Sequence, residues 1–182
     1  MPAKRRRSST PSKAIRNLIN SKIFQEKIEK AKKTELTTSD LELMLRNVKN
    51  FLGVFACDQL KFISGLHGTK FLIVNLDSSL SPGSHWICLR ISKNTIEIFD
   101  SLGYNFKIWG VLPVPLLQFL SSLQKTRTLV FTPVLQPKYE TVCGLYCIYF
   151  ILFRRSRTFS DCVTVFDRRL ELNKSILIKF FS

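Results

Sequence analysis

A chain of 182 residues with 45% hydrophobic and 23% charged residues suits one domain with an apolar core and excludes wholesale disorder. Its formal charge of +15 is of a size that attracts polyanions, nucleic acid foremost, though charge alone says nothing about chemistry. No run approaches the ~20 apolar residues that span a bilayer. The basic start MPAKRRRSS has no apolar segment behind it, so neither a membrane span nor a secretory signal is expected.

In chain order, Lys4, Arg5, Arg6 and Arg7 form a basic cluster ahead of Ser8, Ser9, Thr10 and Pro11. This composition reads as a mobile tail, either a nuclear localisation signal or DNA contact, or simply a solvated end. Ile15, Leu18, Ile19, Ile23 and Ile28 then recur at helical spacing and predict an amphipathic helix over 12–33. Residues 1–35 thus read as a basic extension, and residues 36–182 as the compact domain. Ser39 and Glu42 have capping-box spacing for a helix with Leu41, Met44, Leu45 and Val48 on one face, with Gly53 ending it or the turn after it. Strands are predicted over 70–76, 85–91, 95–99 and 128–131, with the second and third joined by the tight connection Ser92-Lys93-Asn94. Helices are predicted over 116–123, 145–153 and 166–180. The sum is an α+β fold: a small mixed or antiparallel sheet with helices packed about it.

Five cysteines, at 57, 88, 143, 147 and 162, show no disulfide-framework spacing and suit a reducing compartment. With only His67 and His85 in the chain, no metal site is expected. A thiol is nucleophilic as a thiolate, so it needs a base or a positive field beside it. His67 lies in a loop-like, Gly-flanked stretch and is expected in solvent. His85 opens a strand after Pro82-Gly83-Ser84, where it can face a cleft while the strand holds its backbone. Asp100 ends the next strand. If those strands pair through Lys93-Asn94, His85 and Asp100 meet at one rim of the sheet, as base and orienting acid or as an ordinary salt bridge. Cys143, followed by Gly144, stands at the predicted start of a helix, whose positive end favours an anion. Read alone, a buried Cys at such a start is more often a packing residue than a nucleophile. Gln136, seven residues earlier in a Pro-bounded loop, can supply one oxyanion donor, with the Cys143 backbone N–H as the other.

The order His85-Trp86, Asp100, Gln136, Cys143-Gly144 resembles the adenovirus endopeptidase family and the wider Ulp-type cysteine proteases. Phe51-Leu52-Gly53, Ile73-Val74-Asn75, Phe99-Asp100 before Leu102-Gly103, and Cys143-Gly144-Leu145-Tyr146-Cys147 extend the likeness. The resemblance implies a permuted papain-like fold. It also implies a cysteine endopeptidase with His85, Asp100, Gln136 and Cys143 as catalytic residues, and Trp86 packed beside the imidazole. It implies cleavage of capsid and core precursors at glycine-containing sites during virion maturation, by a monomer in the host nucleus and virion. It further implies DNA, an activating peptide or both as cofactors. Asp100 is the Ulp-type acid, where adenovirus endopeptidases carry Glu. No cysteine lies between Gly103 and Pro137, so an activating peptide would bind non-covalently. Two other readings stand beside this one: removal of ubiquitin-like modifiers, and a non-catalytic basic DNA-binding protein of the virion core.

Overall fold

The strands carry apolar side chains on both faces, the pattern of a sheet covered from two sides. In the computed structural model, which describes residues 11–104 and 112–182, five strands form one sheet. They are β1 (Phe51–Ala56), β2 (Lys70–Asn75), β3 (Trp86–Ile91), β4 (Thr95–Phe99) and β5 (Thr128–Phe131), side by side in sequence order. β1 and β2 run parallel, β2–β3 and β3–β4 antiparallel, and β4–β5 parallel, so the fold is α+β with a mixed sheet. On one face Phe71, Ile73, Cys88 and Phe99 pack against α5 (Cys143–Phe153), with Phe150 stacked on Phe99 at 4.3 Å between ring centroids. On the other, Leu72, Val74, Ile87, Leu89, Ile96 and Ile98 meet α4 (Val114–Gln124) and a 3-10 helix at Cys57–Phe62.

α5 is buried around its whole circumference, which its run of eleven mostly apolar residues allows. Its far end is tied to the sheet by charge. Arg154, the C-cap, reaches Glu97 of β4 through Nε at 2.7 Å and Nη2 at 2.6 Å, and Arg90 of β3 adds a contact at 2.8 Å. Glu97 is 4% exposed, and burying a carboxylate so deeply requires these cations.

The predicted helix over 12–33 is two helices, α1 (Lys13–Ile19) and α2 (Lys22–Ala31). Ser21 causes the break: its hydroxyl donates to Leu18 O at 2.8 Å and accepts from Phe24 N as the N-cap of α2. Both helices are packed onto the rest of the chain. Ile15, Ile19, Phe24, Ile28 and Ala31 join the same core as α5, and Phe24 meets the ring of Phe181 at 5.7 Å. Gln25 Nε2 donates to Ile19 O and Phe181 O at 2.8 and 2.7 Å. The capping box of α3 (Thr38–Leu45) is Thr37 with Asp40, not Ser39 with Glu42. Asp40 is preferred because it also takes Lys27 and Lys30 from α2, at 2.6 and 2.5 Å.

Two further expectations give way. Gly53 lies inside β1 rather than at a helix end, with φ +141° where the β1–β2 register shifts, a bulge that glycine accommodates. The long helix over 166–180 shrinks to α7 (Asn173–Lys179). Buried Asn173 accepts from Asp167 N at 2.7 Å and donates to Asp167 O and Leu135 O at 3.0 and 2.9 Å, so the preceding chain wraps around that amide instead of coiling. Because Phe24 is wedged between α2 and the C-terminal segment, Phe24→Ala is expected to destabilise the whole domain by about 3 kcal/mol. Urea unfolding followed by tryptophan fluorescence checks this. An unchanged midpoint would show that α2 frays independently of the core.

Candidate active site

His85 immediately precedes β3 and Asp100 immediately follows β4, and the hairpin register pairs Cys88 with Phe99. The two side chains consequently meet at the sheet rim, His85 Nε2–H donating to Asp100 Oδ1 at 2.7 Å. Both are nearly dry, 5% and 3% exposed. Asp100 needs donors to exist there as an anion, and the turn after β4 supplies them: Leu102 N to Oδ1 and Tyr104 N to Oδ2, each at 2.9 Å. Its backbone is held as well. Asp100 N donates to Thr132 Oγ1 at 2.9 Å, and that hydroxyl donates back to Asp100 O at 2.7 Å. The turn closes through Gly103 at φ +62°, where a Cβ would sit 2.6 Å from Val134 N. Only glycine fits.

Cys143 is the first residue of α5 and lies near enough to the His85 ring to help raise the imidazole. With Nε2 engaged by Asp100, the nitrogen left for the sulfur is Nδ1. Val142 provides no side-chain cap to the first amides of the helix. Gly144 allows the approach of Leu36 and Leu41, whose atoms would lie 3.4 and 3.2 Å from an added Cβ. The indole of Trp86 donates to Leu36 O at 3.2 Å, so Leu36 touches the neighbours of both His85 and Cys143. The ring of Tyr104 lies 5.7 Å from the imidazole, the two planes nearly perpendicular.

Gln136 is 1% exposed, and its amide is oriented at both ends. Oε1 accepts from Ser101 Oγ at 3.0 Å, while Nε2 donates to Glu140 O. Leu135 and Gln136 anchor their backbone N–H groups on Ser101 O at 2.8 and 2.9 Å. The structure thus joins His85 to Asp100 by a hydrogen bond, sets Cys143 near the imidazole, and links Gln136 to the same corner through the residue after Asp100. His67 is exposed in its loop, and Lys4, Arg5, Arg6 and Arg7 lie outside the described residues. Sequence reasoning passed over Ser101, Thr132 and Tyr104; the adjacency of Ser101 to Asp100 was the available signal. Among the described residues no three His, Cys, Asp or Glu side chains gather as a metal site.

The cysteines differ sharply in setting. Burial pushes the thiols of Cys57, Cys88, Cys147 and Cys162 up, Cys162 to about 12, which makes them inert packing groups. Cys143 alone of the five is paired with an imidazole.

A sequence model of the adenovirus endoprotease family matches residues 51–168, spanning β1 through α6. The chain belongs to the adenovirus endoprotease family. Its matched part contains all four residues singled out above, whereas α1 to α3 precede it. No curated protein matches the sequence. Among solved structures, this adenovirus endoprotease relative is similar to the ASFV pS273R protease at 15% identity, with 81% of this chain and 66% of that one covered and a TM-score of 0.49. It is also similar to AvrA delL154 with IP6 and CoA at 15% identity, over 88% and 64% of the two chains, TM-score 0.44. HopZ1a in complex with IP6 follows at 13% identity, over 95% and 64%, TM-score 0.45. The chain spans about two thirds of the length of these structures.

Burial opposes a charge on His85, but the hydrogen bonds to Asp100 and Cys143 outweigh it and raise the imidazole from 6.5 to about 9. A raised histidine stabilises the fold fully below its unfolded value, and that contribution fades as pH climbs through about 9. Unfolding free energy should therefore decline between pH 6.5 and 9. Asp100→Asn should flatten the decline and shift the imidazole midpoint down, as read by urea unfolding and histidine NMR. An imidazole midpoint unmoved by Asp100→Asn would remove Asp100 as the cause.

Proposed function

We propose that the protein is a cysteine endopeptidase in which Cys143 is the nucleophile, His85 the acid–base, Asp100 its orienting partner and Gln136 an oxyanion donor. The observation that carries this reading is the buried Asp100–His85 hydrogen bond, with Cys143 near the imidazole at the start of α5. Cys143 gives its proton to His85, and the thiolate attacks the peptide carbonyl carbon. The carbonyl electrons move to oxygen, where Gln136 Nε2–H and the Cys143 backbone N–H receive the charge. As the oxyanion collapses the C–N bond breaks, and the leaving amine takes the proton from His85. Water then adds to the thioester while His85 accepts its proton. Release of the carboxyl product restores the thiol.

Exposed apolar side chains occur in the segments leading to both site residues: Leu80 in the loop before His85, and Val134 and Tyr139 in the loop before Cys143. They support an extended protein substrate, and the family supports capsid and core precursors cut at glycine-containing sites during virion maturation. The +15 charge, with exposed Lys13, Arg16, Lys22, Lys32 and Lys33 on and beside α1 and α2, supports DNA as a cofactor and a site of action in the host nucleus and virion.

Purified protein incubated with co-encoded structural proteins, with and without DNA, should generate new termini at glycine-containing sequences, mapped by mass spectrometry. Ubiquitin-family fusions serve as the rival substrate. Cys143→Ala should abolish cleavage, and a Cys143→Ala protein that still cut would overturn the assignment. Gln136→Ala should lower kcat by about 100- to 1000-fold with KM changed less than about three-fold, since its donor acts on charge that develops only in the transition state.

A further inference from the structure

We infer that Ser101 is a positioning residue for the oxyanion donor, an inference that rests on the role proposed for Gln136. The Ser101 hydroxyl is 1% exposed and donates to Gln136 Oε1 at 3.0 Å. A side-chain amide is a donor at one end and an acceptor at the other, so its use as an oxyanion donor depends on which end faces the reacting carbon. Two contacts settle that here. Ser101 Oγ–H occupies the oxygen, and Glu140 O accepts one of the two Nε2 hydrogens. The second Nε2 hydrogen remains to meet developing negative charge.

Ser101 also fixes the loop that carries the amide, because its carbonyl accepts from both Leu135 N and Gln136 N. It follows Asp100 directly in the chain, and the Asp100 carboxylate accepts from His85 and from the amides of Leu102 and Tyr104. One dipeptide therefore holds the acid–base pair with its first residue and the oxyanion donor with its second. Without the hydroxyl, Oε1 loses its buried donor and the amide gains freedom to rotate away from Glu140 O. Turnover falls, while the Cys143–His85 contact, which Ser101 does not make, is left intact.

Ser101→Ala should reduce kcat for peptide cleavage by about 10-fold, less than loss of the donor itself, with KM changed less than about three-fold. Alkylation of Cys143 by iodoacetamide involves no oxyanion, and its rate should stay within about two-fold of the parent. In a Gln136→Ala background, Ser101→Ala should cost nothing further. Ser101→Thr keeps the donor and should retain turnover within about three-fold, which also covers the case of an Ala variant that does not fold. Equal losses in alkylation and cleavage, additivity with Gln136→Ala, or a Thr variant as impaired as Ala would each overturn the inference. Full activity of Ser101→Ala beside an impaired Gln136→Ala sinks Ser101 alone. Full activity of Gln136→Ala instead removes the oxyanion reading beneath it.

Discussion

A carboxylate that is 3% exposed has to be surrounded by donors, and the corner of the molecule around Asp100 is organised by that requirement. Water cannot supply the hydrogen bonds, so His85 Nε2 and the amides of Leu102 and Tyr104 do. For those amides to converge on a side chain just ahead of them, the chain must turn at once after β4. The turn in turn demands a left-handed residue at 103, pressed against the backbone of Val134. Its direction then places Ser101 where its carbonyl receives Leu135 and Gln136. From one buried anion the positions of a histidine, a tight turn and a distant loop follow in sequence.

α5 shows a second constraint. A helix buried on all sides cannot rely on solvent at its ends, so each end must be answered by the protein. At the C-terminus Arg154 answers by pairing with Glu97, a cation at the negative pole of the helix that also locks the helix to β4. At the N-terminus there is no side-chain cap, and the helix begins at Cys143 itself. An end left uncapped costs stability and leaves donors in place for an anion. That arrangement is useful to an enzyme whose reaction creates one.

Leu36 connects the residues ahead of the family-matched part to this geometry. Its carbonyl takes the Trp86 indole and its side chain lies over Gly144, so the segment that follows α2 is packed between the beginnings of β3 and α5. α2 is itself held by Asp40, through Lys27 and Lys30, and by Phe181.

The sequence by itself determined the relations that a short turn enforces. A two-strand hairpin with a three-residue connection leaves little choice of register, so the meeting of His85 and Asp100 at one rim was legible from spacing alone. The nine-residue apolar run after Cys143-Gly144 suits a strand by propensity, but the small residues leading into it favour the buried helix that forms, with the cysteine at its start. The tertiary structure alone decided what depends on partners far away in the chain. Asn173 breaks a pattern that reads as a long helix because Leu135, 38 residues distant, offers its amide a buried acceptor. Ser39 and Glu42 have the spacing of a cap, yet Thr37 and Asp40 form it because lysines from another helix reach Asp40. Thr132 carries no local signal of its task, and Ser101 none beyond its place next to Asp100, since each acts through a bond across more than 30 residues. Local spacing encodes short-range geometry because few backbone states close a tight turn, whereas long-range pairing is chosen by how whole faces pack, and that information is spread over the entire chain.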